Sequence, residues 1–411
     1  MRHFPLPTST TADQPLHRHE VALFYEKIQS DEMKECPLWN GNGLHQITIQ
    51  NPFGSDDNEN YNESVNYISH GITYDTLRTV LLKLCNLFYD QFCHVEAAVG
   101  VEAAVGVDAT QVRPRRFVCA VGISEGPYLA LCILMLHFSN LLGKNCDIVI
   151  VPIDLSEGKE RVQYQLYHVR CNMLFVRGLE HSVVSKWDTE RMRVIDMEEF
   201  LFAALDSSGD GMAAINFPNL LQVTRELIRK VNNDDMNSNI LERYKYISHI
   251  VYTSGTTGLP KGCVSSMSAL LHYVCAKNEA HKIDGNSTVL LASSVSFDPC
   301  LSDIIATFYA EGTLALPQKA YMQANMSGVC DRLGVTHILC TPSLWKLMPM
   351  HRMDGRVTRT LKVVALGGEP IPKRIRKVWA RDQVASNDVK LFATYGVTEG
   401  KRSLTYFVKC F

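Results

Sequence analysis

From Phe117 onward, short β-branched and aromatic runs alternate with helical runs, and this alternation constrains the fold more than any other feature of the chain. Phe117 to Val121, Asp147 to Ile153 and Met173 to Val176 read as strands, with helices at Pro127 to Asn140 and Lys159 to Val169 between them. The rhythm returns with strand-like runs at Tyr246 to Tyr252, Val289 to Ala292, Thr313 to Leu316, Thr336 to Cys340, Leu361 to Leu366 and Val389 to Ala393. Helical runs such as Ser265 to Glu279, Leu301 to Ala310 and Lys373 to Ala380 separate them. Strands joined by crossover helices pair in parallel, are covered on both faces and bind ligands beyond their carboxyl ends. The expected fold class is therefore α/β, with functional residues in the loops that follow strands.

A chain of 411 residues is too long for one average core, so more than one structural unit is expected. The pattern divides it into a flexible leader and loop (1–70), a first α/β unit (71–177), an irregular linker or insertion (178–245) and a second α/β unit (246–411). Within the first unit the hexapeptide VEAAVG occurs twice from Val95 to Gly106, followed by the start of a third copy. That period is too short for a solenoid, so 95–109 reads as an inserted repeat.

Composition excludes several classes. The 41 basic and 43 acidic residues leave a formal charge of −2, so no global field favours nucleic acid or an anionic membrane. The most apolar run, Tyr128 to Phe138, is about half the length of a membrane span and reads as a buried helix. The N-terminus has no apolar signal segment, and the thirteen cysteines include no CxxC pair, which fits reduced thiols in a cytoplasmic protein.

The most informative local string is Tyr252-Thr253-Ser254-Gly255-Thr256-Thr257-Gly258-Leu259-Pro260-Lys261-Gly262, directly after a strand. Its glycines permit positive φ and let successive N–H groups converge on an anion; the hydroxyls and Lys261 add donors and charge. It is not a Walker A loop, because Lys261 stands between Pro260 and Gly262 rather than between a glycine and Ser or Thr.

This string resembles the phosphate loop of the adenylate-forming superfamily, which comprises acyl-CoA synthetases, luciferases and the adenylation domains of nonribosomal peptide synthetases. Further strings match in chain order. Ile72 to Leu77 resembles the family's first core motif and Val151-Pro152-Ile153-Asp154 the second. Ala365-Leu366-Gly367-Gly368-Glu369-Pro370 resembles the segment that lies along the adenine, and Ala393-Thr394-Tyr395-Gly396-Val397-Thr398-Glu399 resembles the YGxTE motif. The resemblance implies two similar subdomains of parallel or mixed sheets flanked by helices, as in the large N-terminal domain of such enzymes.

It also implies roles. Thr253, Ser254, Gly255, Thr256, Thr257, Gly258 and Lys261 would bind ATP phosphates; Gly367, Gly368, Glu369, Thr394, Tyr395 and Gly396 would surround the adenine. Thr398 would contact the α-phosphate and Glu399 would hold Mg2+, which makes Lys261, Thr398 and Glu399 the catalytic candidates. An aromatic face suits a purine and a carboxylate suits a hard cation.

Ser296-Phe297-Asp298-Pro299-Cys300 resembles the FDxS motif, with Cys300 in place of serine. In amino-acid-activating members that aspartate meets the substrate's ammonium group, so Phe297 and Asp298 are the expected acid-binding residues. An N-cap for the following helix is the structural alternative for Asp298. The strings SFDPCLSDI, HILCTPSLWKL and LKVVALGGEPIP most resemble the β-alanine-activating members of the acyl-CoA synthetase family.

The implied reaction turns a carboxylic acid, and by this resemblance an amino acid such as β-alanine, into an acyl-adenylate for transfer to CoA or to a phosphopantetheine carrier. Only twelve residues follow Glu399, so the family's small C-terminal domain and its adenylation lysine are expected to be missing. An incomplete ligase, a nucleotide- or acyl-binding module without chemistry, and a fatty- or aryl-acid ligase all remain open at this point.

Overall fold

The computed structural model describes residues 21–28, 45–49, 67–94, 115–142, 146–184, 187, 192–206, 247–254, 258–348, 360–375, 389–396, 398 and 409–410. Strands β1 (Val21–Ile28), β2 (His45–Ile49) and β3 (Tyr67–Thr73) come first. The Thr73 hydroxyl accepts the Thr76 N–H and caps α1 (Tyr74–Phe88), which continues into a π-helical turn at Tyr89–His94.

Then follow β4 (Arg115–Val121), α2 (Pro127–Leu142), β5 (Cys146–Pro152), α3 (Lys159–His168), β6 (Met173–Val176), α4 (Leu179–Val184), β7 (Arg193–Asp196) and α5 (Met197–Asp206). The third segment holds β8 (Ile247–Thr253), β9 (Lys261–Ser266), α6 (Met267–His281), β10 (Thr288–Leu290), α7 (Asp298–Tyr309), β11 (Thr313–Pro317), α8 (Lys319–Ala324), α9 (Met326–Arg332) and β12 (His337–Cys340). The short α10 (Pro342–Trp345) and strands β13 (Val363–Leu366), β14 (Lys390–Ala393) and β15 (Lys409–Cys410) complete the described elements.

The strands form two sheets. A six-stranded sheet runs β7-β6-β4-β5-β8-β9 and a nine-stranded sheet runs β15-β14-β13-β12-β10-β11-β1-β3-β2. This is the expected α/β class with two helix-flanked sheets, but the sheets do not divide the chain where the pattern did. The β8–β9 hairpin, expected in the second unit, joins the first sheet through the parallel pairing of Ile150 with His249. Strands β1 and β2, expected as leader and loop, lie in the second sheet, with β1 parallel to β11 and Leu23 opposite Leu314. Residues 178–206, expected as irregular, contain α4, β7 and α5, and β7 pairs in parallel with β6. The repeat at 95–109, residues 207–246 and the run 376–380 of the expected Lys373–Ala380 helix lie outside the described residues.

The apolar run at Tyr128 to Phe138 explains how the two sheets are held together. Helix α2 is apolar all round, and its residues Leu129 to Leu136 are at most 1% exposed. It packs on β4 and β5 of one sheet, on β1 of the other, and on α1, α5 and α7. A helix with no wet face has to be a middle layer, and this one makes a single core cluster out of side chains from both sheets. Among the described residues no helix is long and apolar enough to cross a membrane. The eleven cysteines from Cys85 to Cys340 are all free thiols.

Two polar contacts cross this interior. His137 of α2 meets the Tyr309 hydroxyl of α7 at 3.0 Å, both buried. Lys277 of α6 pairs with Asp303 of α7, with side chains 2% and 0% exposed. Helix α6 follows the β8–β9 hairpin and α7 begins at Asp298, so this ion pair joins the helices that lead away from two of the expected binding strings.

Candidate functional site

In the nine-stranded sheet, β11 lies on one side of β10 and β12 on the other, with all three strands parallel. The loops leaving β10 and β12 therefore diverge and open a crevice at the carboxyl ends, the position where open α/β sheets take ligands. The strands next in order, β13 and β14, are also parallel and end on the same edge. Three of the expected strings fall on this edge: 297–298 after β10, 367–369 after β13 and 394–398 after β14.

Their geometry is close-fitted. Gly368 has φ of 78°, a conformation that suits glycine, and a Cβ there would stand 3.7 Å from Thr341 and 3.8 Å from the Phe297 ring. A Cβ on Gly367 would collide with Thr394 Oγ1. The Thr394 N–H donates to the Leu366 carbonyl at 2.8 Å, fixing the start of the Thr394-Tyr395-Gly396 segment beside the two glycines. Glu369 accepts from the Ser343 hydroxyl at 2.5 Å. Tyr395 is 66% exposed and Phe297 49%, so two aromatic rings stand open at a strand-end crevice instead of joining the core.

Asp298 is the first residue of α7, and Phe297 holds the N-cap position without a side-chain hydrogen bond. The capping alternative is thereby displaced. Pro299 suits this first turn, where its missing N–H costs nothing, and the helix starts earlier than the apolar pattern at Leu301 suggests. Asp298 Oδ2 instead accepts from Thr398 Oγ1 at 3.4 Å.

The phosphate-loop string lies on the other sheet as a hairpin. Thr253 ends β8 opposite Lys261, which begins β9, and Ser254, Gly258 and Lys261 are exposed. Gly258 has φ of 87°, the left-handed conformation that the glycine pattern leads one to expect. Tyr252 anchors the hairpin: its hydroxyl donates to the Gln165 carbonyl at 3.0 Å and therefore accepts from His168 Nδ1 at 2.9 Å. Burial pushes the Tyr252 phenol well above its ordinary range. Gly255, Thr256, Thr257 and Glu399 lie outside the described residues.

The structure thus brings together Phe297, Asp298, Gly367, Gly368, Glu369, Thr394 and Thr398, with Tyr395 and Gly396 on the same edge. It places Thr253, Ser254, Gly258 and Lys261 on the neighbouring sheet. Thr341 and Ser343 also reach the crevice, and the only sequence signal for them was a hydroxyl-bearing turn after β12. Among the described residues no group of three or more His, Cys, Asp or Glu side chains is arranged to hold a metal ion.

Strand-end glycines, open aromatic rings and a threonine–aspartate contact line this switch point. The chain belongs to the AMP-binding enzyme family, whose profile matches residues 145–407. Among curated proteins it is 30% identical over 151 residues to D-lysergyl-peptide-synthetase subunit 2 of Claviceps purpurea, covering 37% of this chain and 11% of that protein. It is likewise 30% identical over 152 residues to nonribosomal peptide synthetase 9 of Aspergillus fumigatus, covering 37% of this chain and 12% of that one. The chain thus spans about an eighth or less of these relatives.

Similar folds occur in solved structures. FmoA3 (S1046A), a nonribosomal peptide synthetase bound to α-methyl-L-serine-AMP, matches with a TM-score of 0.57 and 15% identity over 83% of this chain and 31% of its own. The Klebsiella oxytoca NpsA N-terminal subdomain in complex with 3-hydroxybenzoyl-AMSN matches with a TM-score of 0.55 and 16% identity over 81% and 67%.

Proposed function

We propose that the chain binds ATP and a carboxylic acid and joins them as an acyl-adenylate with release of pyrophosphate, the acid being an amino acid, β-alanine among the candidates. The acyl group would pass to a thiol of CoA or of a phosphopantetheine carrier. The observation that carries this reading is the convergence of Phe297 and Asp298, the Gly367-Gly368 pair and the Thr394–Thr398 segment at the switch point of one sheet. FmoA3, with which the chain shares its fold, is described as holding an amino-acyl-AMP, which agrees with it.

In this reading Tyr395 offers its open ring to the adenine, and Gly367, packed against Thr394, holds the segment that carries that ring. With ligand bound, Thr398 turns its hydroxyl proton from Asp298 to the α-phosphate, freeing the Asp298 carboxylate. Asp298 supplies the counter-charge for a substrate ammonium, an interaction worth most where water is partly excluded. Thr253, Ser254, Gly255, Thr256, Thr257, Gly258 and Lys261 receive the β- and γ-phosphates. Mg2+ falls to Glu399 by resemblance and would neutralise charge on the transferred group, while positioning by the other residues supplies the rest.

The N-terminal subdomain of NpsA is described in complex with 3-hydroxybenzoyl-AMSN, so binding alone is a fair test of this chain. Calorimetric titration of the full chain with a non-hydrolysable aminoacyl-adenylate analogue should show saturable binding that Tyr395→Ala weakens. Pyrophosphate exchange across β-alanine, α-amino acids, fatty acids and aryl acids then identifies the acid. A chain that binds neither the analogue nor AMP would overturn the reading.

A further inference from the structure

The two sheets also meet at their carboxyl ends, through side chains to which the site described above gives no role. Asp154 follows β5 of the six-stranded sheet. Its Oδ1 accepts from the Ser156 amide at 3.0 Å and from the Ser156 hydroxyl at 2.6 Å, which fixes the plane of the carboxylate. Its Oδ2 accepts from Ser294 Oγ at 3.2 Å, across a sequence separation of 140 residues. Ser294 follows β10 of the nine-stranded sheet, and its carbonyl accepts the Phe297 N–H at 3.0 Å, closing the turn that delivers Phe297 and Asp298 to the crevice.

A second carboxylate repeats the arrangement. Glu125, after β4, accepts the Lys319 N–H at 2.7 Å where α8 begins after β11. The backing of Asp154 is firm, since its neighbour Leu155 lies so close to Gly122 that a Cβ there would come within 2.9 Å of Leu155 Cδ1. Burial opposes ionisation of Asp154, but the hydrogen bonds from Ser156 and Ser294 and the Lys319 charge outweigh it and hold the carboxyl below its ordinary value.

We propose that Asp154 is a positioning residue for the acid subsite: by holding Ser294 it sets the turn, and through the turn the Phe297 ring and the Asp298 carboxylate. This rests on the adenylate reading above. Asp154 touches neither acid nor nucleotide in this account; its effect runs through Ser294 and falls on the acid half of the ligand.

The test compares Asp154→Ala, Asp154→Asn and Ser294→Ala in the full chain, with titrations of an aminoacyl-adenylate analogue and of AMP alone. Asp154→Ala and Ser294→Ala should each weaken the analogue about tenfold, the scale of one lost hydrogen bond to a charged group, and leave AMP unchanged. Asp154→Asn should recover most of the affinity, because its amide oxygen still accepts from Ser156 and its NH2 can donate to Ser294 Oγ. The double alanine variant should be no worse than either single one. Wild-type affinity for the analogue in both alanine variants would overturn the proposal, as would equal weakening of both probes, which is what general loosening produces. If Asp154→Ala fails to fold, Ser294→Ala carries the same comparison. A wild-type chain that binds neither probe overturns the adenylate reading, and this proposal with it.

Discussion

Thr398 Oγ1 lies 3.4 Å from Asp298 Oδ2, joining the segment after β14 to the first residue of α7 across a hundred positions of sequence. In the proposed reading these two side chains serve the two halves of the ligand, so their contact places the nucleotide and the acid side by side. Replacing Asp298 by Ala is expected to cut affinity for an aminoacyl-adenylate analogue at least about tenfold and to spare an uncharged acyl analogue, since only the former loses a charge-assisted partner. Paired calorimetric titrations check it; equal losses for both analogues would remove Asp298 from ammonium recognition.

The two glycines after β13 should respond differently to the same change. Gly367→Ala drives a methyl into Thr394 Oγ1 and must displace the Thr394-Tyr395 segment, so AMP binding should fall more than about tenfold, with an overpacking cost of ~1–3 kcal/mol. Gly368→Ala meets only ordinary contacts but inherits a left-handed φ, so its cost should be nearer ~1 kcal/mol. Denaturation midpoints and AMP titrations of both variants separate collision from backbone strain.

The buried pair of Lys277 with Asp303 makes a prediction about stability. Lys277→Met leaves Asp303 charged and unpaired in the interior and should destabilise the chain by ~3–5 kcal/mol, whereas Lys277→Met with Asp303→Leu should come back close to wild type. Urea unfolding of the single and double variants measures both values.

Acid should weaken the fold through its buried histidines. Burial pushes His249 down to about 4, and burial together with the His249 charge pushes His137 to about 3. Both remain neutral when folded at a pH where the unfolded chain takes up a proton. Stability is therefore full above the ordinary histidine value near 6.5 and is lost as pH falls from there toward 4. His249→Leu should reduce the slope of unfolding free energy against pH in that window by up to ~1.4 kcal/mol per pH unit.

The inner strands β4, β5, β6 and β10 to β14 were legible because a strand covered on both faces is a continuous apolar run. The strands that escaped reading gave weaker signals. Arg193–Asp196 of β7 has no fully buried residue, β2 is a short alternating run paired antiparallel with β3, and β1, although it carries the apolar run Val21–Tyr25, stands alone between polar segments. Site residues were legible where glycine and hydroxyl patterns follow a strand. The roles of Asp154, Thr341 and Ser294 were not legible even where a string or a hydroxyl-bearing turn marked the position, since what matters about them is which distant segment each one meets.

The pairing of β1 with β11 has a consequence for the order in which the protein is made. Leu23 and Leu314 are adjacent in the finished sheet, yet at a synthesis rate of ~5–20 residues per second the first emerges about 15–60 s before the second. β1 must spend that interval with only its β3 side paired. Meanwhile β4, β5 and β6, which are close in sequence, can assemble on α2 as soon as they appear. The parallel core β4-β5-β6 can thus pair while the strands after β9 are still unmade, and β1 gains its β11 neighbour only later.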